Sequence, residues 1–359
     1  MRTGRPHSAA ASPQPDRFVV LSQAQRHTPG PPDSGFPDPE FDLNAALSRF
    51  APELRLHPDD PHRPVSIPWY LERTRLRRWR GLFRPDDDIL PVGRVTPERL
   101  ALAAREEEGR PAGNSGSLYL DIPRGPRERD TRRGFRPTGG TVEAPCYVNA
   151  RAAPDDPTAF DIQYWFFYAF NGREGRHITH EGDWEHVTVR ISNAREPSLL
   201  SAYISAHGTE SGVWAMPARV SPPQFLGSRP ELRLAPSGRP IIYSALGSHA
   251  CYPGPGAFAR GRIKSRDRTA DGGPVWDTAH DLVLVEINGR RPAGDEDEHR
   301  WLDYPGRWGA IRKLAWPFAT SGPLGPSHQA SWRAEPLPVT TNRSGNGGRR
   351  VTRERVDPP

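Results

Sequence analysis

Three side chains of one heptapeptide, His180, Asp183 and Glu185 of HEGDWEH, are of the types that hold a cation or move a proton. Two carboxylates and an imidazole suit a hard or borderline divalent ion, Ca, Mg, Mn or Zn. The run that follows, WEHVTVRI, has period two, so Val187, Val189 and Ile191 share one strand face. Carried backward, the same parity puts Glu185 and Asp183 on that face. Carboxylates at the mouth of a core-facing row cost several kcal/mol each if left alone. They require a cation, hydrogen-bond donors or an open sheet end, and His180 is placed to fold back over Gly182 and join them. The opposite parity holds Trp184, His186, Thr188 and Arg190, a row that begins aromatic and ends charged, so burial is expected to fade along it.

Two more histidines end strand-like runs beside glycine or a small residue, His207 in SAHG and His249 in LGSHA. A lone histidine at a strand end is more often a satisfied or exposed side chain than a ligand. Three converging strand ends, however, make a polar pocket. In that pocket His207 or His249 is a candidate general base or acid for cation-activated water, and Trp184 and His186 are expected to line it. Ser248 precedes His249, but no GxSxG elbow surrounds the pair, which argues against a serine hydrolase.

The elements that must hold these residues are strands. The runs DIQYWFFYAF, WEHVTVRI, SLLSAYISA, RPIIYSAL and HDLVLVEI are rich in aromatic and β-branched residues and are separated by Gly, Pro, Asn and Ser. With 42 prolines and 34 glycines in 359 residues, long helices are disfavoured. The expected fold is mainly β, an antiparallel β-sandwich with a few short N-terminal helices. Those helices are expected after Asp42 as an N-cap, over about 66–79, and from Thr96 with Pro97 in its first turn. The Arg-rich stretch 124–140 reads as a loop. Residues 1–40 and 336–359 are polar, Pro- and Arg-rich and without hydrophobic period, so they are expected to be disordered tails around a single domain over 41–335.

The net charge of +6 would ordinarily suggest nucleic acid. Only Lys264 and Lys313 of the 49 basic residues are lysine, a codon-bias signature, and no basic strand carries stacking aromatics, so no specific nucleic acid is expected. There is no apolar run long enough to cross a membrane and no apolar core of a secretion signal in the first forty residues. Two cysteines, Cys146 and Cys251, are too few for a disulfide scaffold, and the expected location is cytoplasmic.

The segments FAPELRLHPDDPHRPVSIPWYL, DIQYWFFYAFNG, HEGDWEHVTV, ALGSHACYPGPG, DGGPVWDT, YPGRWG and SGPLGPSHQASW occur here in the order found in the vacuolar protein sorting-associated protein 62 family, which the chain resembles over about 290 residues. That family's name implies protein delivery to the vacuole and its motifs define no activity. HEGDWE is also similar to the heptapeptide of the necrosis- and ethylene-inducing toxins, β-sandwich proteins with a divalent metal at the head of the sheet. This second resemblance implies metal-site roles for His180, Asp183 and Glu185, and puts Asn171 in the pocket where the toxins carry an aspartate. Together these readings give a divalent-cation-binding sandwich that recognises a polar small molecule, lipid headgroup or glycan. The alternative is a metal-dependent hydrolase using the same cluster.

Overall fold

The structure, a computed structural model, describes residues 41–332 except 109–117, 124–142, 173–179, 207–211, 219–229, 260–265, 295–296 and 312–320. The expected tails, the loop at 124–140 and His207 therefore lie outside the described residues.

Along the chain come α1 (Leu43–Phe50), β1 (Glu53–Arg55), α2 (Ile67–Arg73), β2 (Arg75–Arg78), β3 (Asp87–Leu90), α3 (Pro97–Glu108) and β4 (Leu118–Asp121). Then follow β5 (Cys146–Ala152), β6 (Ala159–Asn171), β7 (His180–Ser192), β8 (Leu199–Ile204) and β9 (Val213–Ala215). The last strands are β10 (Ile241–Ser244), β11 (Cys251–Tyr252), β12 (Gly256–Ala259), β13 (Arg266–Thr269), β14 (Val275–Asp277) and β15 (Leu282–Ile287).

Helix α1 starts where the Asp42 side chain accepts from the Ala45 N–H at 3.0 Å, and it buries Ala46, Leu47 and Phe50. Helix α2 is capped by Ser66 but stops at Thr74, which is extended. The expected helix over 66–79 is thus shorter: Arg75–Arg78 pair instead with β4 and β3, and this cross-strand pairing overrides the helical spacing of Trp69, Leu76 and Trp79.

A six-stranded sheet in the order β15-β5-β6-β7-β8-β9 forms the centre. One of its faces packs on a four-stranded sheet, β11-β10-β1-β14, and the two form a β-sandwich. Phe160, Ile162, Tyr164, Phe166 and Tyr168 of β6 and Val187, Val189 and Ile191 of β7 fill the space between them, with α1 closing one side. The other face is covered as well. Trp165, Phe167 and Trp184 pack there against α2, α3, the small sheet β3-β2-β4 and the short 3-10 turns that carry Trp301 and lie near Trp332. All thirteen residues of β6 are therefore buried, which explains why DIQYWFFYAF shows no polar alternation.

Most pairings are antiparallel, but β1 runs parallel to β10 and β5 parallel to β15. Both parallel pairs join strands more than 130 residues apart in sequence, the long crossover that parallel pairing needs. The β1–β10 pair is what carries the segment after β1 to the head of β7.

Candidate functional site

In β7 the register with β6 sets Asp183 opposite Tyr168, Glu185 opposite Phe166 and Val187 opposite Tyr164. All six belong to the sandwich interior, so the two carboxylates share the face of Val187, Val189 and Ile191. Gly182 ends this row. Its φ of +63° is left-handed, and a Cβ there would sit 2.0 Å from the Trp308 carbonyl oxygen. The pleat is interrupted, and Glu181 turns to the opposite layer, where its carboxylate accepts from the Ile122 and Ala310 N–H groups at 3.2 Å each.

Asp183 is met from the second sheet by His249. The His249 Nδ1–H donates to Asp183 Oδ2 at 2.9 Å, and Asn171 Nδ2, at the end of β6, donates to the same oxygen at 3.0 Å. On its other side, His249 Nε2 stands 3.5 Å from Asp60 Oδ2, an ion-pair contact too long for a good hydrogen bond. Asp60 comes from the segment between β1 and α2 and accepts from the His62 and Gly247 N–H groups at 2.9 and 2.6 Å. The imidazole, 1 % exposed, lies flat on the Tyr168 ring, 3.8 Å between centroids.

These contacts fix the charges. Burial works against a charged His249, but the charge of Asp60 and the bond to Asp183 outweigh it and push its pKa up to about 9. Burial opposes the Asp60 carboxylate too, yet His249 and the two backbone donors hold it down to about 2. The upward shift of His249 and the downward shift of Asp60 favour a charged imidazole between Asp60 and Asp183.

The turn that presents His249 is strained and heavily pinned. His249 has φ +56°, unusual for a side chain with a Cβ. Gly172 N–H donates to the Gly247 carbonyl at 2.5 Å, Asn171 Nδ2 to the Ser248 carbonyl at 3.1 Å, and Ser248 Oγ to Asp267 Oδ1 at 2.8 Å. Ser248 is thereby committed to a structural bond.

His180 stands at the mouth of the row and is partly exposed. Its Nδ1–H donates to the Gly182 carbonyl at 2.7 Å, and its Nε2 stands 3.9 Å from Asp183 Oδ1. Glu185 is buried one step deeper. Its charge adds to the burial that raises the Cys251 thiol and the Tyr168 hydroxyl well above their ordinary values. Both cysteines are free thiols in the core.

The structure therefore brings together His180, Asp183, Asn171 and His249, and sets Glu185 further along the same strand, opposite Phe166. It does not bring Trp184 or His186 to them. Strand alternation carries both to the other layer, where Trp184 stacks on Trp301 at 5.5 Å and His186 lies on Trp165 at 4.2 Å. The expectation that they line the pocket is corrected by that parity. His249, the candidate general base or acid, has both ring nitrogens turned to carboxylates, Nδ1 to Asp183 at 2.9 Å and Nε2 to Asp60 at 3.5 Å. The residue that sequence reasoning did not single out is Asp60. Its signal was a doubled aspartate between prolines, HPDDPH, which is poor in local pattern.

Among the described residues no three His, Cys, Asp or Glu side chains surround one cation position. Two donors fit a divalent ion in chemistry: His180 Nε2 and Asp183 Oδ1, the oxygen not taken by His249 and Asn171. Such a pair leaves most coordination positions to water and an incoming ligand.

The fold and site together define a β-sandwich whose sheets are riveted at one end by a buried charged cluster with a polar mouth. The model of the vacuolar protein sorting-associated protein 62 family matches residues 34–315, and the chain belongs to that family. It is 26 % identical over 288 residues to vacuolar protein sorting-associated protein 62 of Saccharomyces cerevisiae, across 72 % of this chain and 58 % of that one. To the putative vacuolar protein sorting-associated protein TDA6 of the same yeast it is 31 % identical over 171 residues, 42 % of this chain and 35 % of that one. The chain thus spans about half or less of the length of these relatives. Among solved structures it is similar to the non-toxic HaNLP3 protein (14 % identity, TM-score 0.29, 69 % of this chain and 78 % of that one). It is also similar to NLPPya in complex with mannosamine (14 % identity, TM-score 0.30, 73 % and 82 %).

Proposed function

We propose that this chain is a binding module that takes a polar ligand, a lipid headgroup or glycan, at the mouth of the sandwich through a divalent cation held by His180 and Asp183. The observation that supports this reading is the orientation of His180. Its Nδ1 is fixed on the Gly182 carbonyl, so Nε2 turns toward the one Asp183 oxygen that His249 and Asn171 do not engage. A metal-bound histidine and carboxylate are commonly held this way by partners on their other atoms. When bound, the ion supplies positive charge and open coordination positions for hydroxyl or phosphate oxygens. His249 and Asn171 orient the carboxylate, and Tyr168 holds the imidazole in plane.

Binding is favoured over hydrolysis by the placement of His249, which is almost fully buried with both ring nitrogens turned to Asp183 and Asp60 and so does not reach a substrate. Titration of the full chain with Mn2+ or Zn2+, followed through the His180 ring resonances, tests the reading. Selective perturbation of His180 supports it. Resonances that stay unmoved at millimolar metal count against it.

A further inference from the structure

The loop joining β2 to β3 exposes a cluster of apolar side chains that the sandwich does not use. Of the six large hydrophobic residues exposed among the described residues, Trp79, Leu82 and Phe83 lie within five positions of one another, and Phe83 is 93 % exposed. Arg80 and Arg84 alternate with them, both exposed, in the sequence WRGLFR. Behind the tip the hairpin is closed by charge. Arg77 Nε meets Asp88 at 2.8 Å, Arg78 and Arg80 each approach Asp87 at 3.7 Å, and Asp86 accepts from the Tyr119 hydroxyl at 2.6 Å. The three aspartates are thus occupied at the base, while the tip presents aromatic, aliphatic and guanidinium groups. Gly81, with φ +97°, lets the chain turn there.

We propose that the 79–84 tip is a membrane-docking element that inserts Leu82 and Phe83 into an anionic bilayer, with Trp79 at the interface and Arg80 and Arg84 toward lipid phosphates. The small size of the patch favours a bilayer over a protein partner. A stable protein interface needs about 800 Å² of complementary surface on each side, whereas the exposed apolar groups of this tip are three side chains, Trp79, Leu82 and Phe83. A fluid bilayer needs no complementary shape. The composition matches as well, because tryptophan is favoured at the interface, arginine carries its charge to the headgroups, and leucine and phenylalanine enter the acyl region. The charge has the right sign: residues 75–88 contain five arginines and three aspartates, and the whole chain carries +6. This tip shares no residue with the His180–Asp183 mouth, and the proposal does not rest on the cation reading. No described helix is long and apolar enough to span a membrane, so attachment by this tip would be peripheral.

The test is sedimentation of the full chain with phosphatidylcholine vesicles, with and without about 30 % phosphatidylserine, a fraction that gives a strongly negative surface. Wild type is expected to bind the anionic vesicles and to bind phosphatidylcholine weakly. The Leu82→Ser/Phe83→Ser variant should lose at least about tenfold in partitioning while melting like wild type, since both side chains are exposed. Phe83→Ser alone should show a smaller loss in the same direction. Arg80→Gln/Arg84→Gln should reduce the preference for phosphatidylserine and its sensitivity to salt. Wild type that binds neither vesicle, serine variants that bind as wild type, or an anionic preference that survives loss of both arginines would each overturn the proposal. So would self-association of wild type that the serine variants abolish while neither protein binds vesicles, because the tip would then serve a protein contact.

Discussion

His249 and Asp183 are joined by a 2.9 Å charged hydrogen bond that crosses from the turn after β10 in one sheet to β7 in the other. Asp60 completes it from a third segment, so one imidazolium ties together parts of the chain that are far apart in sequence. A buried pair contributes modestly against an apolar replacement, but deleting one partner strands the others.

Accordingly, His249→Gln is expected to destabilise the protein by about 3–5 kcal/mol, the cost of leaving buried carboxylates without their cation. Chemical denaturation of the variant measures it. A loss under about 1 kcal/mol would show that water or another donor replaces the imidazolium.

Acid sensitivity should come from the other layer. His186 is buried against Trp165, and burial, with the charge of Arg151 adding to it, holds its pKa down to about 3. Its ordinary value is 6.5, so its contribution to stability is complete above pH 6.5 and is lost as pH falls toward 3. By pH 5 the loss is about 2 kcal/mol. The difference in stability between pH 7 and pH 5 should shrink by that amount in His186→Phe. An unchanged difference would mean that His186 is not held neutral.

Gly182→Ala should be among the most damaging single-atom-group additions in the chain. The new Cβ meets the Trp308 backbone oxygen, which cannot rotate away, and the backbone is left-handed there. A loss of at least about 3 kcal/mol, or insoluble protein, is expected. A variant that melts within a few degrees of wild type would mean that the Trp308 segment shifts freely.

Trp184→Ala and Arg190→Ala should cost similar amounts, about 3–5 kcal/mol each. Trp184 packs among Trp301, Trp308 and Phe167, while the Arg190 guanidinium bonds the fully buried Asp161 carboxylate at 2.8 and 3.0 Å. Burial does fade at the end of this row, where Arg190 is only partly buried after the buried Trp184, His186 and Thr188, but the bond to Asp161 keeps its guanidinium against the sheet. An Arg190→Ala loss near zero would mean that the fade in burial, and not this bond, sets the cost.

The period-two run after Asp183 was sufficient to place Asp183 and Glu185 with Val187, because alternation is local and β7 keeps it from Asp183 to Ile191. The break at Gly182, which sends Glu181 to the other layer, is set by contact with Trp308 and has no local signal beyond the glycine itself. Asp60 was not legible for a different reason. Its approach to His249 depends on the parallel pairing of β1 with β10, across some 190 residues of chain. The arginine-rich run at 75–78 has helical spacing, and only its partners in β3 and β4 make it a strand.

Cation binding by His180 and Asp183 is tested most directly by thermal melts of wild type and His180→Ala with chelator and with added divalent ions. Among the described residues His180 bonds the Gly182 carbonyl and faces Asp183 from 3.9 Å, so this variant leaves the His249–Asp183 bond in place, as Asp183→Asn would not. An ion bound only by the folded state, at a hundredfold excess over Kd, stabilises it by about 2.7 kcal/mol. Wild type is predicted to melt several degrees higher with metal than with chelator, and His180→Ala to melt alike in both. Wild-type melts that coincide with and without metal would contradict the account.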